Sequence, residues 1–220
     1  MVTADLDQTP QGPVDDKRFR AMVRRDVPEV ARLHYRLLPG LLTDLGPGVI
    51  SYFYKTALEI PGTHGWVAAD EQQRVVGFAF ASERGADLYG QIFRRRPVQG
   101  IGCLAAGFFL KPVAFVRTAW WFLKGRPADL DFEAPELIYL AVDPAGRGGG
   151  SAAHLVKQAY ESFRDKGSAR LQLSVADDNV PVQRFFETLG AECVGTYEEG
   201  GIRRKRYAFR YENQTGQRPS

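Results

Sequence analysis

One stretch of the chain decides the fold, and it reads Leu137-Ile-Tyr-Leu-Ala-Val-Asp-Pro-Ala-Gly-Arg-Gly-Gly-Gly-Ser-Ala-Ala-His-Leu155. It begins with an apolar run typical of a buried strand, and a turn with four glycines then leads directly into a helical pattern. Such a turn exposes backbone N–H groups at a helix N-terminus, where the macrodipole also favours an anion by roughly 0.3 to 1 kcal/mol. The stretch therefore predicts a strand–turn–helix unit that binds a phosphate group.

Composition narrows the class of protein. The chain has 220 residues, with 29 Lys and Arg against 26 Asp and Glu. The resulting net charge of +3 is too small to indicate nucleic-acid binding over the whole surface. Cys103 and Cys193 are the only cysteines, and they form neither a disulfide framework nor a metal-binding motif. We expect a cytoplasmic protein that binds no nucleic acid and no metal.

Local patterns predict one domain of mixed α/β structure with mostly antiparallel strands. A disordered leader is expected over 1–17, the domain over 18–212 and a flexible tail over 213–220. Asp26 is the expected cap of the first helix, which starts at Val27 and ends before Pro39. The remaining elements are predicted in this order: a helix from Gly46 to about Ile60, a hairpin of strands 66–69 and 75–81, the strand 137–142, a helix to about Lys166, a strand 170–175, a helix 180–189 and closing strands 192–198 and 203–211.

The segment 88–126 differs from the rest because it contains seven basic residues and no acidic residue. It also holds the aromatic pairs Phe108-Phe109 and Trp120-Trp121. We expect a helical insert, and three roles remain open for it. It covers the active site as a helical pair, contacts a membrane surface with snorkelling lysines, or forms a homodimer contact.

The glycine turn has a more specific interpretation. Its residues Arg147-Gly-Gly-Gly-Ser-Ala152 fit the pattern Arg/Gln-X-X-Gly-X-Gly/Ala, and Asn179 and Arg184-Phe-Phe-Glu-Thr-Leu-Gly190 follow at suitable places. Together, over about 136–211, they resemble the acyl-CoA site of the GNAT superfamily of N-acetyltransferases. A Walker loop would need a lysine after the glycines, which this chain lacks. A plain tight turn is the remaining alternative.

The resemblance implies a mostly antiparallel GNAT-type sheet flanked by helices, with acetyl-CoA as the acyl donor. It assigns strand residues to the pantetheine arm, with the backbone groups of Leu140 and Val142 pairing with it, and loop amides to the pyrophosphate. Arg147 either supplies charge to a phosphate or caps the turn in solvent, and Asn179 touches the arm, caps the next helix, or does both. The implied donor-site residues are Leu140, Ala141, Val142, Arg147, Gly148, Gly149, Gly150, Ser151, Ala152, Asn179 and Phe186.

Chemistry on an amine calls for a base, because deprotonating a primary amine of pKa near 10.4 at pH 7 costs roughly 4.6 kcal/mol. Glu136 begins the strand before the loop, and its spacing from Arg147 resembles that of the base in the histone-acetylating branch. Asp131 and Glu133 are neighbouring substitutes. Strict alternation would place Glu136 and Tyr139 on opposite faces of the strand.

The chain departs from the family at Phe186, where a tyrosine usually protonates the departing thiolate. Without that proton the sulfur leaves as a thiolate at pH 7, which is about 1.5 units below the usual pKa of a thiol. We therefore expect a slower enzyme rather than an inactive one. Ser174 and Tyr160 are possible replacements, and so is water. The leading hypothesis is direct acetyl transfer to an amine of a small molecule, sugar or peptide. The alternative is a catalytically silent CoA-binding or membrane-surface module.

Overall fold

The computed structural model describes residues 18–110, 134–144, 150–199 and 201–211. The strands are β1 Phe19–Ala21, β2 Thr63–Ala69, β3 Val75–Ser82, β4 Glu136–Val142, β5 Arg170–Ala176, β6 Glu192–Glu199 and β7 Ile202–Arg210. The helices are α1 Val27–Leu37, α2 Leu41–Leu45, α3 Pro47–Ala57, α4 Leu88–Arg95, α5 Pro97–Leu110, α6 Ser151–Arg164 and α7 Val180–Thr188. Short 3-10 turns, Arg24–Asp26 and Gly85–Asp87, precede α1 and α4.

The strands form one sheet in the order β1-β2-β3-β4-β5-β7-β6. Every neighbouring pair is antiparallel except β4 and β5, which are parallel because α6 crosses over between them. The predicted mixed sheet with an antiparallel majority, flanked by helices, is confirmed.

Apolar side chains cover both faces of the sheet. One core lies under α1, α3 and α4, where Ile50, Phe53 and Phe78 are buried. The other lies under α6 and α7 and includes Leu155 and Phe163. Because β3 and β4 contribute to both cores, the middle of the sheet is buried on its two sides.

A bulge in β4 changes the predicted alternation of its side chains. Phe80 pairs with Tyr139 but Ala81 pairs with Leu137, so Ile138 is an extra residue in the strand. As a result Ile138 and Tyr139 both pack in the core under α1 and α3, whereas Leu137 and Leu140 pack under α6. The prediction that Glu136 and Tyr139 face opposite ways is therefore wrong.

Most predicted elements are present, with two local differences. The short helix α2 was not predicted, because its sequence between two glycines carries little periodic signal. Asp26 stands at the N-cap position of α1 but makes no side-chain cap bond to that helix. Its carboxylate instead accepts hydrogen bonds from Arg20 and from the Val23 N–H, at 2.6 and 2.8 Å, so it fastens β1 to the turn before α1.

The first part of the predicted insert is helical, as α4 and α5, and residues 111–126 lie outside the described residues. So do the predicted leader over 1–17 and the predicted tail. Within the described part of the chain, no helix has both the length and the apolar content that crossing a bilayer requires.

Beneath the centre of the sheet, His34 on α1 is only 2% exposed, and its Nδ1 lies 2.7 Å from the hydroxyl of Tyr54 on α3. The ring packs edge-to-face on Tyr139 at 4.6 Å between centroids. Burial lowers the pKa of His34 to about 4. The histidine is therefore neutral in the folded protein at neutral pH.

This burial predicts a loss of stability in mild acid. An unfolded histidine takes up a proton near pH 6.5, whereas folded His34 does so near pH 4, so the unfolded state binds more protons between these values. The free energy of unfolding should therefore fall by about 3 kcal/mol in total as the pH drops from 7 to 4 because of this group. Urea unfolding of the wild type and His34→Gln at several pH values measures it. The variant should show a shallower pH dependence, and an unchanged slope would contradict the assignment.

Candidate functional site

The candidate site is the gap that opens between β4 and β5. The two strands pair only at Glu136 with Gln172 and Leu137 with Leu173. On its other side β4 stays paired with β3 as far as Val142, and β5 stays paired with β7 as far as Ala176. The strands therefore diverge after Leu137, and within the described part of the chain the β4 edge that faces β5 has no strand partner from 138 to 142, so that a wedge opens there.

The backbone groups that face this wedge follow from the register. The Gln172 N–H donates to the Pro135 carbonyl at 2.8 Å, at the closed end of the wedge. At the other end the Asp143 N–H donates to the Val76 carbonyl on β3 at 2.7 Å. Because successive residues of a strand point their N–H and C=O groups to opposite sides, Val142 and Leu140 direct theirs into the wedge. Ala141, paired with Phe78, directs its groups to β3.

The wedge opens toward the start of α6. Gly150 is the N-cap residue with φ of 71°, a left-handed conformation that favours glycine. Ser151 is buried and Ala152 is half-buried, and the first N–H groups of a helix have no partner within it. These amides and the helix dipole form a site for an anion. Arg147, Gly148 and Gly149 lie outside the described residues.

Two predicted donor-site residues, Asn179 and Phe186, lie at and on α7, and they have different surroundings. Asn179 is exposed and caps α7, with its side-chain oxygen accepting from the Val182 N–H at 3.4 Å. Phe186 is only 4% exposed and packs against Phe185 and Phe209 in the core under α6 and α7. The capping geometry of Asn179 is thus present, while the predicted contacts of both residues with a ligand remain predictions.

A buried polar group, here called the Arg206 cluster, lies where β4 and β5 join. Arg206 on β7 is completely buried and forms an ion pair with Glu136, which is 4% exposed. The same guanidinium donates to the Gln172 side-chain oxygen at 2.8 Å and to the Ser174 hydroxyl at 2.9 Å. The Tyr197 hydroxyl on β6 donates to Ser174 at 2.9 Å. Together Glu136, Gln172, Ser174, Tyr197 and Arg206 connect the four strands β4, β5, β6 and β7 by side chains.

Close packing fixes the orientation of the Glu136 carboxylate. A Cβ added at Gly85, in the turn before α4, would lie 2.5 Å from a carboxylate oxygen of Glu136. Only glycine leaves room for the carboxylate there. Glu136 thus lies beside the wedge, on the sheet face that carries Tyr139, and is held by Arg206. Its predicted role as a base stays a prediction.

Aromatic hydroxyls line the same face of the sheet beside the wedge. The hydroxyls of Tyr89 on α4 and Tyr139 on β4 are 2.6 Å apart. Burial, followed by the neighbouring tyrosines, raises the pKa of Tyr139 well above its usual value, and the charge of Glu199 adds to this effect. Tyr139 is therefore a neutral hydroxyl at physiological pH. Glu199, at the end of β6, is a second buried carboxylate on this side and lies 3.0 Å from the Arg204 guanidinium.

A cavity of about 430 Å³ lies between α1, the β2–β3 turn and the end of β4. Its charged lining consists of Arg18, Glu29, Arg32, Arg36, Asp70, Arg74 and Asp143. Arg36 on α1 forms an ion pair with Asp143, which follows β4 directly. This contact fastens α1 to the point where the glycine turn begins. Among the described residues, no three His, Cys, Asp or Glu side chains are grouped to hold a metal ion.

Sequence reasoning missed Arg206 and Tyr197. Arg206 stands in the basic run Arg203-Arg-Lys-Arg206, which has the appearance of a solvated strand end. Alternation along β7 was the one available signal, because Tyr207 and Phe209 point into one core and leave Arg206 and Ala208 facing the other side. That pattern alone does not predict that Arg206 pairs with Glu136 on β4.

Comparison with known proteins agrees with this geometry. The model of the acetyltransferase (GNAT) family matches residues 43–191. Among solved structures, the chain is similar to an N-acetyltransferase from Staphylococcus aureus Mu50, with 14% identity, a TM-score of 0.57, and coverage of 87% of this chain and 99% of that one. It is also similar to Arabidopsis thaliana NAA60 in complex with acetyl-CoA, with 14% identity, a TM-score of 0.54 and coverage of 87% and 97%.

A third similar structure is the spermidine/spermine N-acetyltransferase SpeG from Vibrio cholerae, with 14% identity, a TM-score of 0.50 and coverage of 87% and 91%. No curated protein matches the sequence. At these identities the solved structures establish the fold, and the family model establishes the class. The chain belongs to the GNAT family of acetyltransferases, whose general reaction is acyl transfer.

The Arg206 cluster predicts a large cost for removing its acid. Glu136→Ala leaves a buried guanidinium without its counter-charge, so the free energy of unfolding should fall by about 3–5 kcal/mol. Glu136→Gln keeps an acceptor oxygen and should cost less. The matched control is Glu192→Ala, which breaks the exposed pair of Glu192 with Arg210 at 3.3 Å and should change little. Urea unfolding measures all three, and equal losses for Glu136→Ala and Glu192→Ala would contradict a structural role for the cluster.

Proposed function

We propose that this protein transfers an acetyl group from acetyl-CoA to an amine by direct attack of the amine on the thioester. The observation that carries the proposal is the wedge, with an unpaired strand edge along one side and a helix N-terminus at its open end. An extended chain with amide groups completes such an edge as an added strand would. Its phosphates then meet the amides of α6.

The arrangement fits the parts of CoA in order. The pantetheine arm lies along β4, where Leu140 and Val142 offer backbone groups to it. Ala141, between them, pairs with Phe78 on β3 instead. The pyrophosphate is held by the amides of Gly150, Ser151 and Ala152 together with those of Gly148 and Gly149. With the phosphates at the glycine turn, the thioester lies near the closed end of the wedge, beside Ser174 and the Arg206 cluster.

Acetyl transfer forms a C–N bond and breaks the C–S bond, and the acceptor ammonium loses one proton before its nitrogen attacks and a second proton once the C–N bond has formed. Glu136 is the proposed base, acting directly or through one water. Its carboxylate lies on the face of the sheet where the acceptor approaches, next to Tyr139. The ion pair with Arg206 keeps it fixed. The variant Glu136→Gln also tests this role, because a base variant loses turnover while its affinity for CoA is retained.

The proposed acceptor is a primary amine of a small molecule, a sugar derivative or a peptide. The site offers it an aromatic face formed by Tyr89 and Tyr139. Aromatic faces attract a cationic amine. Cytoplasmic location and a homodimer remain predictions from the sequence.

A pair of proline substitutions tests the donor site. Leu140→Pro removes an N–H that faces the wedge, so CoA affinity should fall about tenfold. The family resemblance also implies that a backbone N–H near Leu140 stabilises the tetrahedral oxyanion, so kcat should fall about 100-fold or more. Ala141→Pro removes an N–H paired with β3 and should instead destabilise the fold. Calorimetric titration with CoA, thermal melting and thiol release with a panel of amines measure these effects.

Two results would count against the proposal. CoA binding by wild type that survives Leu140→Pro unchanged would place the donor away from the wedge. CoA binding without acetyl transfer to any amine in the panel would favour the silent CoA-binding module instead.

A second role is favoured by the surface of α4 and α5, defined here by Phe93, Arg94, Arg95, Val98 and Ile101. Val98 is 82% exposed and Ile101 59% exposed, which is unusual for apolar residues of a helix. A Cβ added at Gly100 would lie 3.1 Å from the Phe93 ring, so the two helices are packed closely and their exposed residues form one surface. The adjoining exposed arginines complement an anionic lipid headgroup. We propose that this surface contacts anionic membranes.

Liposome flotation tests this contact. The wild type should float with vesicles containing phosphatidylserine but not with neutral ones, and Val98→Glu with Ile101→Glu should abolish flotation. Val194→Glu, at a valine 38% exposed on the edge strand β6, is the matched control and should float like the wild type. Absence of wild-type flotation removes the membrane role. Dimerisation that the double variant abolishes would assign the surface to a homodimer.

A further inference from the structure

A hydrogen-bond donor beside the sulfur would speed the departure of the thiolate, and Phe186 has no hydroxyl to donate. Of the two side chains that the sequence nominated as replacements, Tyr160 is far from the wedge. Its hydroxyl lies 3.5 Å from the Arg210 carbonyl and its ring packs on Tyr211. Arg210 pairs with Arg170 at the start of β5, so Tyr160 lies at the end of β5 where the wedge is closed.

Ser174 is placed differently. The last residue of β5 that pairs with β4 is Leu173, so Ser174 is the first residue of β5 at the apex of the wedge. It is half-buried, and its side chain lies on the sheet face of the Arg206 cluster. A pantetheine arm that starts at the glycine turn and runs along β4 brings its sulfur toward this apex.

The hydrogen bonds of Ser174 leave its proton available. Its oxygen accepts from the Arg206 guanidinium and from the Tyr197 hydroxyl, both at 2.9 Å. A hydroxyl has two acceptor positions and one donor, and an arginine cannot accept. Both acceptor positions are thus filled, and the O–H points to neither of these partners. Donation from a guanidinium also polarises the hydroxyl, which makes it a stronger donor.

We infer that the Ser174 hydroxyl donates a hydrogen bond to the CoA sulfur as it departs, in place of the tyrosine that the family usually has at Phe186. This inference rests on the proposed acetyl transfer. As the amine nitrogen bonds to the carbonyl carbon, the C–S bond breaks and its electron pair leaves with sulfur. The proton of the amine goes to the base, and the thiolate, held by Ser174, takes its proton from solvent.

Three variants separate this role from a structural one. Ser174→Ala should lower kcat about 10- to 30-fold with the KM for acetyl-CoA unchanged, since the departing thiolate loses a hydrogen bond to a charged acceptor. Ser174→Thr keeps a hydroxyl and should retain most activity. Thr188→Val is the matched control, because it removes an exposed hydroxyl on α7 that donates to the Arg184 carbonyl at 2.8 Å, and it should have little effect. Wild-type activity in Ser174→Ala, or a loss in Ser174→Thr equal to that in Ser174→Ala, would overturn the inference.

A readout independent of turnover is the pKa of the thiol of bound CoA, followed by thiolate absorbance in a pH titration of the complex. Wild type should hold this pKa about one unit below that of the Ser174→Ala complex. Equal values in the two proteins would overturn the role of Ser174 while leaving the acetyl-transfer proposal intact. Failure of the wild type to bind CoA would overturn both.

Discussion

Strand β4 leaves its parallel partner after Leu137, and the buried backbone groups beyond that point must find partners other than β5. An unpaired buried N–H or C=O costs about 1–3 kcal/mol, so a sheet does not open in its middle without compensation. In this protein the backbone groups on the β3 side of β4 have partners, because β3 pairs with β4 as far as Val142. On the other side we propose that an extended ligand pairs with the edge, and the backbone groups that make the opening costly would then contribute to the affinity for that ligand.

The apex of the wedge needs a fixed position, and side chains supply it where backbone pairing ends. Arg206 lies on β7, Gln172 and Ser174 on β5, Glu136 on β4 and Tyr197 on β6, so one guanidinium links strands that the backbone no longer holds together. Burying a charge is costly unless the charge is paired and hydrogen-bonded, and the Arg206 guanidinium is paired with Glu136 and donates to Gln172 and Ser174. The cluster therefore fixes where β4 and β5 diverge, and it also orients Glu136 and Ser174, the two groups that we propose to act in the reaction.

The parts of this site that sequence could predict are those with local signals. The glycine turn, the strand before it and the Asn179 cap each rest on a few consecutive residues, and the capping bond of Asn179 is present. The bulge at Ile138 carries no such signal, because β4 is apolar on both faces and an inserted residue does not disturb its pattern. The partner of Glu136 is 70 residues away along the chain. Long-range pairing of this kind depends on the strand order, which the sequence pattern does not specify.

The same reasoning explains how an aromatic residue without a hydroxyl can occupy position 186. Phe186 is buried among Phe185, Phe209 and their neighbours, where a phenol would need a hydrogen-bond partner whenever no ligand is bound. Leaving that hydroxyl unpaired would cost about 1–3 kcal/mol in the free protein. The proposed donor on β5 avoids the cost, because Ser174 is already held by Arg206 and Tyr197 and needs no further partner to remain in place. In this proposal the core under α7 stays apolar, and the hydrogen bond to the leaving group comes from the opposite face of the sheet, where the polar side chains are already fixed.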